Sequence, residues 1–445
     1  MRTQLVAVLF GVFAAGMPLA AQAPQQFILR AASNEGPSIA ARHGLTIVGQ
    51  TTDGIVGVFL VTADTPVDND EVKADASVLA FEQDHALRIP ESVRPRVAQS
   101  TAAILETLPD RTMIPFFGEN VWRGYAFQPA AMLIHNSDAH MMADAQMQPV
   151  TGAGVVAIID TGIDLAHPAL AGAFVPGYDF IRNTSQITSD LGTISQSTAA
   201  ILEARQTTEP FRSALVNQST AAILEQSTAA ILEGSGLPPA FGHGTMVAGL
   251  VRLVAPTAKI MPLTAFGPDG SADVFNIERA IYFAVDHGAN VINMSFSLEN
   301  WSAELLRAIN YATERDVICV AAAGNTGQET LVFPSAFRNV IGVASTTNLD
   351  QRSAFSNFGN GLVQLAAPGE ALITMFPGGR YAAAWGTSFS AALVSGAAAL
   401  VEQIVPGIEP NNAQQILNRA VRVGQDLGQG RLDVSLAVQR AMLRR

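Results

Sequence analysis

Cysteine is almost absent: Cys319 stands alone among 445 residues, which excludes an intramolecular disulfide and a small covalently stapled fold. Its setting, Val-Ile-Cys-Val-Ala at 317–321, reads as a buried strand thiol. Charged residues are scarce at 14 % against 49 % hydrophobic, so the chain is not a disordered one. The balance is acidic, with a formal net charge of −12, which argues against nucleic acid and anionic membrane surfaces as partners. Two chemistries lack their residues. No His-Glu-x-x-His pattern occurs and the seven histidines are dispersed, against a zinc hydrolase. Asp-Thr-Gly occurs at 160–162 with no second Asp-Ser/Thr-Gly, against an aspartic peptidase, whose two carboxylates must share a proton.

Long apolar runs are missing too. Beyond the N-terminus, no stretch reaches the eighteen or so apolar residues that span a bilayer. The N-terminus itself reads as a secretory signal peptide over 1–23: Met1-Arg2, an apolar core over 5–16, then the small residues of Ala21-Gln22-Ala23. Pro24 is unfavourable directly after a cleavage point, so cleavage after Ala21 is the alternative. Export, to the periplasm or the medium, is the expected address.

The chain is long for one average domain, and two unequal units are expected. Strands at 26–31, 45–50, 55–63 and 78–83 with helices at 37–43 and 68–76 give β-α-β-β-α-β, the ferredoxin-like order. A Pro- and Arg-marked linker over 91–119 follows. From about 120, apolar runs at 155–159, 260–263, 291–295, 317–322, 340–345 and 362–367 alternate with helices at 246–253, 273–287, 303–314 and 388–402. Continuous Val/Ile/Ala strands alternating with helices predict an α/β fold: a doubly wound, mostly parallel sheet. Within it, Gln-Ser-Thr-Ala-Ala-Ile-Leu-Glu recurs at 196–203, 218–225 and 226–233, and once earlier at 99–106. An eight-residue period turns each copy by about 80° around a helix, so the copies build no continuous stripe. They read as neutral expansion of a surface loop, or as processing sites.

The chemistry sits in three Gly-rich turns. Ser388 lies in Gly-Thr-Ser-Phe-Ser-Ala-Ala at 386–392, His243 in Gly-His-Gly-Thr at 242–245, and Asp160 ends Ile-Ile-Asp before Thr-Gly. A serine attacks an amide only when an imidazole takes its proton and a carboxylate holds that imidazole in the right tautomer. Singly, each residue could be an ordinary turn or helix cap. Asp164 is the nearest competitor to Asp160, and His167, beside Pro168, reads as a surface loop residue.

The order Asp160, His243, Ser388 resembles that of subtilisin-like serine peptidases over residues from about 120 to 443, with a repeat-bearing insertion at about 183–236. Residues 24–90 are similar to that family's inhibitory propeptide. The resemblance implies a secreted, self-processing zymogen: a serine endopeptidase acting on proteins or peptides, monomeric, inhibited by its own propeptide, and without a cofactor. It implies an oxyanion role for Asn325, in Ala-Ala-Ala-Gly-Asn at 321–325, with the Ser388 N–H beside it. It also implies substrate binding by Ser295, Phe296 and Ser297 and by Ala322, Ala323 and Gly324. Three departures stand out. Ser297 occupies a place usually held by glycine, Ala392 one usually held by proline, and Ala169 one where an acidic calcium ligand is common. With no insertion after Leu250, that calcium site is expected to be missing. The alternative function is a catalytically silent subtilase-like binding protein, its cleft blocked by propeptide or insertion.

Overall fold

The computed structural model describes residues 25–52, 55–89, 110–193, 215–216, 237–238, 240–418, 421–424 and 426–444. The expected signal peptide and all four octapeptides lie outside the described residues. The chain divides into two units, Met1–Gln83 and Asp84–Arg445.

In the first unit, β1 (Gln25–Ala32), α1 (Gly36–Arg42), β2 (Thr46–Thr52), β3 (Val56–Ala63), α2 (Asn69–Ala74) and β4 (Val78–Gln83) follow the order read from sequence. The sheet runs β2-β3-β1-β4, every neighbouring pair antiparallel, as two interleaved β-α-β units require. Phe27, Leu29, Phe59, Val61 and Phe81 share one core with Ile39 and Val72 from the two helices. Asp68 accepts the Asp70 and Glu71 N–H groups and so starts α2.

The second unit opens with β5 (Ala86–Arg88) and a hairpin of β6 (Met113–Phe116) and β7 (Glu119–Trp122). The remaining strands are β8 (Val155–Asp160), β9 (Tyr178–Asp179), β10 (Leu215–Val216), β11 (Lys259–Thr264), β12 (Ser271–Asp273), β13 (Val291–Met294), β14 (Ile318–Ala322), β15 (Val340–Thr346), β16 (Leu365–Pro368), β17 (Leu372–Phe376) and β18 (Arg380–Ala384). Seven form one sheet, β16-β15-β14-β13-β8-β11-β9, with all pairs parallel. Every residue of β13 to β16 is buried, which is why these runs show no alternation. From β8 the chain builds β11 and β9 on one side, then β13 to β16 on the other. The carboxyl ends of β8 and β13 therefore flank a topological switch point, where such sheets place their sites.

Helices α3 (His243–Val254), α4 (Val274–Asp286), α5 (Ala303–Thr313), α6 (Thr387–Ile404) and α7 (Val434–Leu443) pack on this sheet and on one another. Among the described residues α6 is the one helix long and apolar enough to cross a bilayer, yet 94 % of that stretch is buried in the fold. It packs on α3 through small residues: a Cβ at Gly396 would meet Val254 Cβ at 2.7 Å. Cys319 is fully buried and its thiol is pushed up to about 12 by desolvation, consistent with an inert strand residue.

Two features differ from expectation. β5 pairs antiparallel with β12, Ile89 N–H donates to Gly270 O at 3.0 Å, and Asp84 Oδ1 accepts the Val274 N–H at 3.0 Å at the start of α4. Residues 84–89 thus belong to the second unit. His167, expected on the surface, is 2 % exposed. Its Nδ1 accepts the Ala169 N–H, its Nε2 bonds Arg380 O at 2.9 Å, and its ring meets Tyr381 edge-on. Pro168 does mark a turn, but that turn is roofed by β18.

Gly396→Val is expected to cost about 1–3 kcal/mol by overpacking, read as a lower urea midpoint at unchanged m-value; an unchanged midpoint would contradict the α3–α6 contact. Burial lowers the pKa of His167, so the unfolded chain binds this proton first as pH falls. His167 therefore contributes stability above the ordinary histidine value near 6.5 that is lost below it. Urea titrations at pH 7.5 and 5.5 should show a smaller acid-side loss in His167→Asn than in wild type. Equal losses would refute the assignment.

Candidate active site

Asp160 is the last residue of β8, and its pairing with Thr264 of β11, with its carbonyl accepting from the Ala265 and Phe266 N–H groups, fixes its backbone at the carboxyl edge of the sheet. His243 opens α3 directly after Gly242, whose φ of +80° needs glycine. The two meet: His243 Nδ1 lies 2.7 Å from Asp160 Oδ1, which also accepts the Thr161 N–H at 2.7 Å. The side chains are 0 % and 1 % exposed. With Nδ1–H donating to the carboxylate, the neutral ring carries its lone pair on Nε2. Asp164, the sequence competitor, is engaged elsewhere, accepting the Gly378 and Ala166 N–H groups.

Ser388 reaches the same place from the far end of the chain. It is the second residue of α6, which starts at Thr387, one position before the expected start. Its Oγ donates to Ser295 O and its carbonyl accepts from Ser295 Oγ, each at 3.0 Å. The next residue, Phe389, packs on the His243 ring with centroids 5.3 Å apart. The end of β8, the start of α3, the start of α6 and the segment after β13 therefore converge.

Asn325 follows β14. Its Oδ1 accepts the Thr387 N–H at 3.0 Å and Thr387 Oγ1–H at 2.9 Å, while Thr387 Oγ1 accepts the Gly324 N–H at 3.1 Å. With its acceptor committed, the amide presents Nδ2 on the other side as a donor. Gly324 has φ +93°, and a Cβ there would meet Asn357 Nδ2 at 2.5 Å. Of the expected substrate-binding residues, Ser295, Phe296, Ala322 and Ala323 are all wholly buried, and Phe296 packs on Phe266. Ser297 is half-buried.

One residue escaped the sequence reading. Asp190, within the stretch assigned to the insertion, is 2 % exposed and accepts from Gly242 N–H, Thr161 Oγ1–H and Gly162 N–H. Burial first, and the like charge of Asp160, raise it to about 7 against the pull of those bonds. No motif marks it; the only signal was a carboxylate at the near margin of a long loop.

Among curated proteins, the chain is 32 % identical over 246 residues to "Thermophilic serine proteinase" of Bacillus sp. (strain AK1), covering 55 % of this chain and 51 % of that one. It is 32 % identical over 248 residues to thermitase of Thermoactinomyces vulgaris, covering 55 % and 74 %, and 37 % over 174 residues to subtilisin BL of Lederbergia lenta, covering 37 % and 64 %. This chain thus matches about half the length of the Bacillus sp. proteinase. Among solved structures, fervidolysin from Fervidobacterium pennivorans, a keratinolytic enzyme related to subtilisin, aligns with a TM-score of 0.63 at 21 % identity, over 95 % of this chain and 62 % of that one. At that identity the likeness speaks for the fold. The Subtilase family profile matches residues 152–435, a stretch that includes Asp160, His243, Asn325 and Ser388, and this chain belongs to that family.

Proposed function

We propose that this chain is a serine endopeptidase that hydrolyses peptide bonds through an acyl-enzyme. The observation that carries the reading is the 2.7 Å bond between buried Asp160 and His243, formed beside the α6 start that bears Ser388. In this reading Ser388 Oγ attacks the scissile carbonyl carbon and His243 Nε2 takes its proton. Asp160 orients the ring and stabilises the imidazolium. The carbonyl oxygen becomes an oxyanion held by Asn325 Nδ2 and the Ser388 N–H. Collapse breaks the C–N bond as His243 returns the proton to the leaving amine, and water then releases the acyl group by the same relay. Substrate lies along 295–297 and 322–324. Because Ser295, Phe296, Ala322 and Ala323 bury their side chains, it is the main chain there that recognises an extended peptide, as in strand addition.

The protein is made, in the same proposal, as an exported zymogen. The signal peptide covers 1–23, residues 24–90 form an intramolecular inhibitor, and cleavage falls within the 91–119 linker. The separate β-α-β-β-α-β unit over residues 25–83 supports this reading.

A fluorophosphonate probe is expected to label the processed protein but not Ser388→Ala. Absence of label on processed wild type would favour the silent binding protein instead. Asn325→Leu should fold and lower kcat by about 10²–10³, a magnitude established on subtilisin itself. Mass spectrometry of secreted protein should find an N-terminus within 91–119, and a start only at Gln22 or Pro24 would sink the zymogen reading.

A further inference from the structure

Asp190 stands 52 positions before Gly242 yet accepts its N–H at 2.7 Å. The same Oδ2 accepts Thr161 Oγ1–H at 3.0 Å, and Oδ1 accepts the Gly162 N–H at 3.0 Å. Thr161 Oγ1 in turn accepts the Gly244 N–H at 3.1 Å. Both peptide neighbours of His243 are thereby tied to the two residues that follow Asp160. The approach is close: a Cβ at Gly162 would meet Asp190 Oδ1 at 2.8 Å, and one at Gly244 would meet Thr161 O at 2.6 Å.

We propose that Asp190 is a positioning residue for the Asp160–His243 pair, holding the start of α3 against the loop that leaves β8. The proposal rests on the serine peptidase reading for its kinetic consequence, though not for its structural one. Three converging donors suit a carboxylate, not a carboxylic acid, whose hydroxyl would face N–H and O–H groups. The charged group that bears on it is Asp160 at the end of β8; Asp164, in the same loop, is turned to Gly378 and Ala166. The role is one of aim: Asp160 fixes the tautomer, and Asp190 fixes the backbone that carries the ring.

Asp190→Asn keeps the volume, removes the charge and turns an amide N–H toward donors. The expected result is a fall in kcat of about 10²-fold, the cost of a misplacement of about 1 Å, with KM unchanged and active sites counted by fluorophosphonate titration. In proton NMR the His243 Nδ1–H resonance should move from its wild-type position as the bond to Asp160 loses its alignment. Should Asp190→Asn fail to fold, Thr161→Val removes one of its donors and the Gly244 acceptor, and the same two readouts apply. An unchanged kcat and an unchanged His243 Nδ1–H resonance in a folded variant overturn the proposal, even if its melting temperature falls. If wild type hydrolyses no peptide while the His243 Nδ1–H resonance still moves in the variant, the peptidase reading fails and the positioning role stands.

Discussion

The bond between Asp160 and His243 is the constraint from which the surrounding architecture follows. An imidazole and a carboxylate removed from water lose several kcal/mol of hydration each when ionised, and geometry must return it through directed hydrogen bonds. The neighbouring chain is shaped to do so. Thr161 gives its N–H to Asp160 and its hydroxyl to Asp190, while the Gly242 and Gly244 amides are taken up by Asp190 and Thr161. At Gly162, Gly242 and Gly244 a Cβ would fall within 2.8 Å of a neighbouring atom. The Gly-His-Gly run is therefore a packing requirement around one buried pair, before it is a signature of any reaction.

The start of α6 obeys the same logic. A helix start leaves N–H groups without intrahelical partners, and here the Thr387 N–H is met by Asn325 Oδ1. Asn325 thus caps the helix that carries Ser388, and that capping bond sets which way its amide faces. The absence of proline at 392 becomes intelligible. Ala392 is wholly buried in the core around α6, and the helix start is already fixed from outside by Asn325 and by Gly386 at φ +144°, so a preset φ has nothing to add.

Much of this was legible in sequence. The fully buried parallel strands announce themselves as unbroken Val/Ile/Ala runs, and the β-α-β-β-α-β order of residues 25–83 follows from short strands broken by turn residues. Asp160, His243, Ser388 and Asn325 stood out as candidates because each lies in a Gly-rich turn, and each falls at a strand or helix end. What was not legible has a common cause: long separation. His167 looks exposed until β18, more than two hundred positions later, covers it through Arg380 O. Residues 84–89 look like the end of the first unit until β12 offers an edge. Asp190 looks like loop until Gly242 closes on it. Local pattern encodes local structure, and none of these three contacts is local.

The Asp190–Gly242 contact also accounts for how a site can tolerate so long a stretch between two of its members. Loop-closure entropy rises only logarithmically, about 0.6 kcal/mol for each doubling of length. Asp190 accepts three hydrogen bonds that tie it to Thr161, Gly162 and Gly242. Those bonds join the near end of the stretch to its far end, so added length costs little. Sequence inserted after Asp190 and before Gly242 lengthens a loop already closed at its root, leaving the His243 backbone where Asp160 needs it. Length is cheap there because Asp190, at the near end of the stretch, holds Gly242 at its far end.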